Sequence, residues 1–206
     1  MAKSVIFLVL CVLLVAADKT KDVTRELEAF KINKVYPDVV SAVPDKLLHV
    51  TYKADNKVEL GNELTPTQVI EQPKVTYEGD NNCFYTLIFT DPDAPSRYNP
   101  IYREYIHWLV VNIPGSKIFQ GETISDYVGS APLKGSGLHR YVFLLYKQPE
   151  KLKFDEPKHS PTDGNRGNFN IENFAKKYKL GNPIAGNFYQ AMWDDSVPAS
   201  RKKLGI

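Results

Sequence analysis

The chain is poor in cysteine. Its 206 residues hold two, Cys11 and Cys83, and Cys11 lies inside an N-terminal apolar run. One remaining cysteine cannot form an internal disulfide. A fold without such staples must be held by its hydrophobic core, and 206 residues suffice for one. Cys83 is then either buried or free and reactive. An excess of one charge is also missing, with 26 Lys+Arg against 24 Asp+Glu and a net charge of +2. There is no Lys/Arg run, no RNA-binding aromatic motif and no zinc-finger spacing, so nucleic acid is not an expected partner. Enzyme signatures are lacking too. No Gly-x-Gly-x-x-Gly turn, phosphate-binding P-loop or Gly-x-Ser-x-Gly elbow occurs. No internal repeat and no Asn-x-Ser/Thr glycosylation acceptor is found.

Long hydrophobic runs are absent but for one, from Val5 to Val15. It is well short of the roughly 20 residues that cross a bilayer. Lys3 precedes it and Ala16 and Ala17 follow it, the layout of a secretory signal peptide cleaved after Ala17. The sequence therefore predicts a leader over residues 1–17 and one exported domain over residues 18–206. Loss of the leader removes Lys3 and leaves 25 basic residues against 24 acidic ones. With 43% hydrophobic and 24% charged residues, the composition is that of an ordinary globular protein.

What is present is mostly strand-like. LLHVTY (47–52), KVEL (57–60), KVTYE (74–78) and CFYTLIFT (83–90) are separated by Gly, Asn, Asp and Pro. YREYIHWLVVNIPG (102–115) is apolar throughout its middle, as for a central strand buried on both faces. LHRYVFLLYKQ (138–148) and PIAGNFYQAMW (183–193) read as two more strands. A helix is expected within residues 19–36. A second is expected over residues 170–181, with Asn170 as N-cap and Ile171, Phe174 and Tyr178 on its apolar stripe. The tract 125–137 reads as a long ordered loop, the polar stretch 150–168 as a mobile one, and VPASRKKLGI as a basic tail. Strands with helices near the two ends predict a mostly β domain.

Three of these strands carry polar groups at or near their ends. Asp91 closes one, in TDPDAPSR. His107 lies in the next, two residues after Tyr105. His139 opens a third, two residues before Tyr141. Strand side chains alternate, so Tyr105 shares a face with His107 and His139 shares one with Tyr141. Were the strands neighbours, two imidazoles, two phenols and a carboxylate would line one cavity. Each also has a plain structural reading: core histidines with hydrogen-bond partners, tyrosines of ordinary β propensity, and Asp91-Pro92 as a turn starter. Two histidines and an aspartate suit a metal in principle, but they lack metal-site spacing, and no metal or cofactor is expected.

The blocks TDPDAPSR, YREYIHWLVVNIPG and SDYVGSAPLKGSGLHRYVFLLYKQ, with NFAKKYKLGNPIAGNFYQAMWDDSVP, resemble the signatures of the phosphatidylethanolamine-binding proteins, also called Raf kinase inhibitor proteins. The resemblance runs over most of the chain, to about Pro198. It implies a large antiparallel sheet, a small second sheet and peripheral helices. It also implies a small pocket for phosphate or a phosphoethanolamine headgroup, built here by Asp91, Pro95, Tyr105, His107, Gly129, His139 and Tyr141. ASRKKLGI differs from that family's usual C-terminal helix. The leader is similar to that of secreted insect members discussed as odorant-binding. The expected function is a secreted, non-enzymatic binding protein. Its partner would be a phospholipid headgroup or a small anionic or hydrophobic ligand, with contact to a membrane surface. The alternative is a regulator acting by protein contact, such as a protease inhibitor. A carboxylate repels phosphate, so Asp91 is expected to orient and charge His107 or His139 rather than touch the anion.

Overall fold

The computed structural model describes residues 28–205. The expected leader and the first part of the expected N-terminal helix lie outside the described residues. Within them the chain is helical over 28–32 and again, in a kinked turn, over Val35–Asp38. Nine strands follow, with two further helices late in the chain.

The three most apolar segments form the centre. β5 (Phe84–Asp91), β6 (Tyr105–Pro114) and β8 (His139–Lys147) are buried at nearly every position. β5 lies between β6 and β8, antiparallel to both. β7 (Glu122–Ser125) extends the sheet beyond β6, and β9 (Ala185–Ala191) extends it beyond β8, both antiparallel. β1 (Lys46–Leu47) pairs with β9 in parallel, which makes the six-stranded sheet mixed at that edge. The second sheet is small and antiparallel, ordered β3 (Asn56–Lys57), β2 (His49–Tyr52), β4 (Lys74–Thr76). Residues 47–52, one strand by composition, thus divide. Leu48 donates its N–H to Gly186 O of the large sheet, and His49 begins the small one. Of the expected strand 57–60, Lys57 alone lies in a strand.

Alternation along the central strands fills two cores. Leu87, Phe89, Phe143 and Tyr189 point from one face onto Val50, Tyr52 and Val75 of the small sheet. Ile88, Val142, Leu144 and Phe188 point from the other face onto Phe30, Val35, Ile171 and Phe174. Burial of such side chains stabilises by about 1.5–3 kcal/mol each. Cys83 is half-buried, with a free thiol, and packs against the first core.

α1 (Ile171–Lys177) is the short helix foreseen near residue 170. The Asn170 side chain accepts the Asn173 N–H at 2.8 Å, as an N-cap does. α2 (Val197–Leu204) corrects the reading of the last residues as a tail outside helix. Pro198 stands in its first turn, three basic residues close its last, and Gly205 ends it at a φ of 72°. Residues 150–168 are likewise pinned rather than loose. His159 exchanges backbone bonds with Ile124 and Asp126, and Arg166 is buried. No helix among the described residues is long and apolar enough to cross a membrane.

Candidate functional site

The site lies where β5 and β6 meet the start of β8. Asp91 pairs with Tyr105 and Thr90 with Ile106, but Phe89 pairs with Trp108. His107 is therefore an extra residue, a β-bulge opposite no residue of β5. The bulge lets Tyr105, His107 and Trp108 all lie on the face of Phe89, while Ile106 enters the opposite core. The His107 ring stands 5.2 Å from those of Tyr105 and Phe89 and 5.3 Å from that of Tyr141. His139 and Tyr141, two apart on β8, stack at 6.3 Å.

Asp91 and His139 form a buried pair. Asp91 Oδ2 lies 2.8 Å from His139 Nδ1, and its Oδ1 accepts the Asp93 N–H at 2.7 Å. The opposite nitrogen of His139 lies 2.9 Å from Ser136 Oγ. Ser136 spends its single proton on Leu133 O at 2.7 Å, so its oxygen must accept from the ring. Both nitrogens of His139 are then donors, which is the imidazolium form. Burial opposes that charge, but the hydrogen bond and the field of Asp91 overcome it and raise the His139 pKa.

His107 takes the opposite state. Its Nδ1 lies 2.9 Å from the Val128 carbonyl, which can only accept. Burial lowers its pKa to about 4, more than Asp91 and the Val128 bond can offset. The ring is neutral near pH 7, with the proton on Nδ1 and a lone pair on Nε2. Of the two histidines that Asp91 was expected to charge, His139 is the one it charges. Burial raises the phenols of Tyr105 and Tyr141, so both are neutral O–H groups.

Asp91, Pro95, Tyr105, His107, Gly129, His139 and Tyr141 all line one cavity of about 340 Å³. The structure brings together all seven candidates. Gly129 has a packing reason as well: a Cβ there would lie 2.7 Å from Val69 O and 3.1 Å from Ile70 Cα. Sequence reasoning missed the rest of the wall. Asn165 and Asn168 line it from the 150–168 stretch, and Arg201 and Leu204 from α2. Arg201 donates to Ala131 O at 3.1 Å and so ties α2 to the loop across the mouth. Its signal was the basic last turn of α2, read as tail. Arg166 was missed too. It is 1% exposed and donates to the carbonyls of Ile106, Asp126, His159 and Ser160, with no carboxylate partner among the described residues.

The second aspartate of TDPDAPSR faces away from the cavity. Arg140 grips both oxygens of Asp93 at 2.9 and 2.7 Å, and its backbone N–H adds a third bond at 2.9 Å. The same guanidinium reaches Asn33 O, Lys34 O and Asp38. The strand-end hook is thus nailed to the N-terminal segment on one side and left to serve the cavity on the other. Among the described residues, no cluster of three or more His, Cys, Asp or Glu side chains could hold a metal.

Comparison with known proteins agrees with this architecture. The model of the family described as "Phosphatidylethanolamine-binding protein" matches residues 48–190. The Drosophila melanogaster protein named "Putative odorant-binding protein A5" is 41% identical over 189 residues, covering 91% of this chain and 88% of that one. The fold is shared with a carboxypeptidase Y inhibitor, solved in complex with its cognate proteinase. That likeness has a TM-score of 0.73 at 29% identity and covers 84% of this chain and 97% of the other. It is shared also with a phosphatidylethanolamine-binding protein from Plasmodium vivax, at a TM-score of 0.68 and 27% identity, covering 81% and 97%.

Proposed function

Because the chain belongs to the phosphatidylethanolamine-binding protein family, we propose that it is a secreted binding protein whose cavity takes a small ligand with an anionic, phosphate-like group. One observation carries this reading. Among the described residues Asp91 is the only acid lining the cavity, and His139 already matches its charge. Arg201 on the rim and Arg166 behind the Tyr105–His107 wall bond only carbonyls, so both guanidinium charges act on the cavity, with Asp126 and Asp163 offsetting part of the Arg166 field. A low-dielectric cavity magnifies that field. Tyr105 and Tyr141 supply neutral donors, and Pro95, Leu133 and Leu204 offer an apolar rim for the rest of the ligand.

Titration calorimetry with phosphoethanolamine at low salt tests the reading. Arg201→Ala should weaken binding about tenfold, the worth of one charge-assisted bond. Identical affinities for the two proteins, or no heat with either, would argue against the site. Export rests on the leader, and the secreted protein should begin at Asp18 on N-terminal sequencing. A second reading is favoured by the likeness to the carboxypeptidase Y inhibitor. It makes the protein a protease regulator acting by surface contact. Failure to slow carboxypeptidase Y at micromolar concentration would count against that version.

A further inference from the structure

The hydrogen-bonding capacity of the cavity floor is unbalanced. His107 lines the cavity, and its Nδ1–H is committed to Val128 O at 2.9 Å. Its Nε2 has no protein partner among the described residues, and it is a lone pair, not an N–H. His139 cannot make up the difference while its two N–H groups are held by Asp91 and Ser136. A fully deprotonated oxyanion pressed against His107 Nε2 would set lone pair against lone pair. One alternative is for His107 to take a proton. Burial opposes that, and the groups around the ring are divided. Asp91 of β5 favours the proton, while Arg166 and His139 disfavour it. Tyr105, Tyr141 and Phe89 around it are uncharged, and Val128 O is already used.

We propose that the cavity selects singly protonated oxyanions, phosphate monoesters that keep one P–O–H, over phosphodiesters and sulfates. The ligand brings the proton that His107 Nε2 lacks, and its O–H donates to that nitrogen. Its remaining oxygens face Arg201 and the tyrosine hydroxyls. This inference rests on the anion-site reading above and narrows it. A free monoester headgroup such as phosphoethanolamine qualifies below its second pKa of about 6, as does inorganic phosphate while it keeps a P–O–H. An intact diester lipid headgroup carries no P–O–H near neutral pH and does not.

The test uses two ligands of the same charge and nearly the same shape. Methyl phosphate has a second pKa of about 6, so at pH 5 it is chiefly a monoanion with one O–H. Methyl sulfate is a monoanion with none. Calorimetry on the wild-type protein at pH 5 should find methyl phosphate bound at least tenfold more tightly, the worth of one hydrogen bond. A second pair at the same pH 5, phosphoethanolamine against glycerophosphoethanolamine, separates a monoester from a diester lipid headgroup, and the monoester should win by a similar factor. Equal affinity within the first pair overturns this inference and leaves the anion site standing. Binding of neither methyl ester overturns both. His107→Gln, whose amide can present a donor, should bring the two methyl esters within about threefold of each other. A preference undiminished in that variant would place the selecting group elsewhere and overturn the role of His107.

Discussion

Asp91 and Asp93 stand two residues apart on one hook, both buried, and they have become different things. Asp93 faces Arg140, which cannot lose its proton, and receives three bonds from it. Burial works against the Asp93 charge, yet the Arg140 bonds prevail and hold its carboxyl below the usual range. Asp91 faces His139, which can lose its proton, and the pair borders the cavity. Glu104, at the neighbouring end of β6, completes the series. It accepts one backbone N–H, from Ile171, and burial pushes its pKa up to about 7. Three buried carboxylates thus differ by partner: a permanent cation fixes structure, a titratable one borders the cavity, and the want of a bonded cation leaves the acid half protonated near neutrality.

The largest effect expected from breaking this comparison is at the permanent pair. Arg140→Met would leave the buried Asp93 with only the 3.5 Å contact to Arg103 in place of the two guanidinium bonds, and cost about 3–5 kcal/mol in urea denaturation. A loss under 1 kcal/mol would mean that Asp93 reaches solvent or protonates freely. Next comes Glu104→Gln. A carboxyl whose pKa is raised on folding contributes stability below its unfolded pKa, and that stability is lost as pH rises through the folded value. With that value about 7 against an ordinary 4.5, the variant should be more stable than wild type by about 2–3 kcal/mol at pH 8. Little difference is expected at pH 4, and equal stability at both pH values would deny the raised pKa. The smallest effect is at the titratable pair. Asp91→Asn should cost about 1–2 kcal/mol near pH 6. The cost should shrink as pH rises past the His139 pKa, because that pKa is raised by the pair and its stabilisation exists only while His139 is charged. Proton NMR should show the His139 titration shifted to lower pH in the variant. An unshifted titration would separate Asp91 from the charge on His139.

Much of this was legible in residues alone, for reasons of periodicity. FYTLIF and YVFLLY are too apolar to be anything but central strands. His139 and Tyr141 had to share a face, and Asn170 announced α1. The blocks around Asp91, His107 and His139 named a family, which gathered the seven cavity residues. Less legible was what depends on register. Nothing local marks the bulge at His107, since a bulge is a property of two strands and not of one. Arg140 sits in an apolar strand with its partner 47 residues away, so its burial could not be read from its neighbours. The polar composition of residues 150–168 suggested solvent, yet one side chain there, Arg166, satisfies four carbonyls at once. The end of the chain was a misjudged case. Pro198 and Gly205 frame a helix by ordinary start and stop rules, and the basic residues between them hid it.

The bulge has a consequence for how this protein can change. Because His107 answers to no residue across the ladder, its identity is not tied to the strand register that Phe89, Trp108 and their neighbours enforce. On the function proposed above, variation there would retune what the cavity accepts while the sheet keeps its alignment, at the loss of the ring's bond to Val128 O. Specificity and architecture would then fall under separate control, one residue wide, and a lineage or an engineer could explore ligands at position 107 by replacing that single contact.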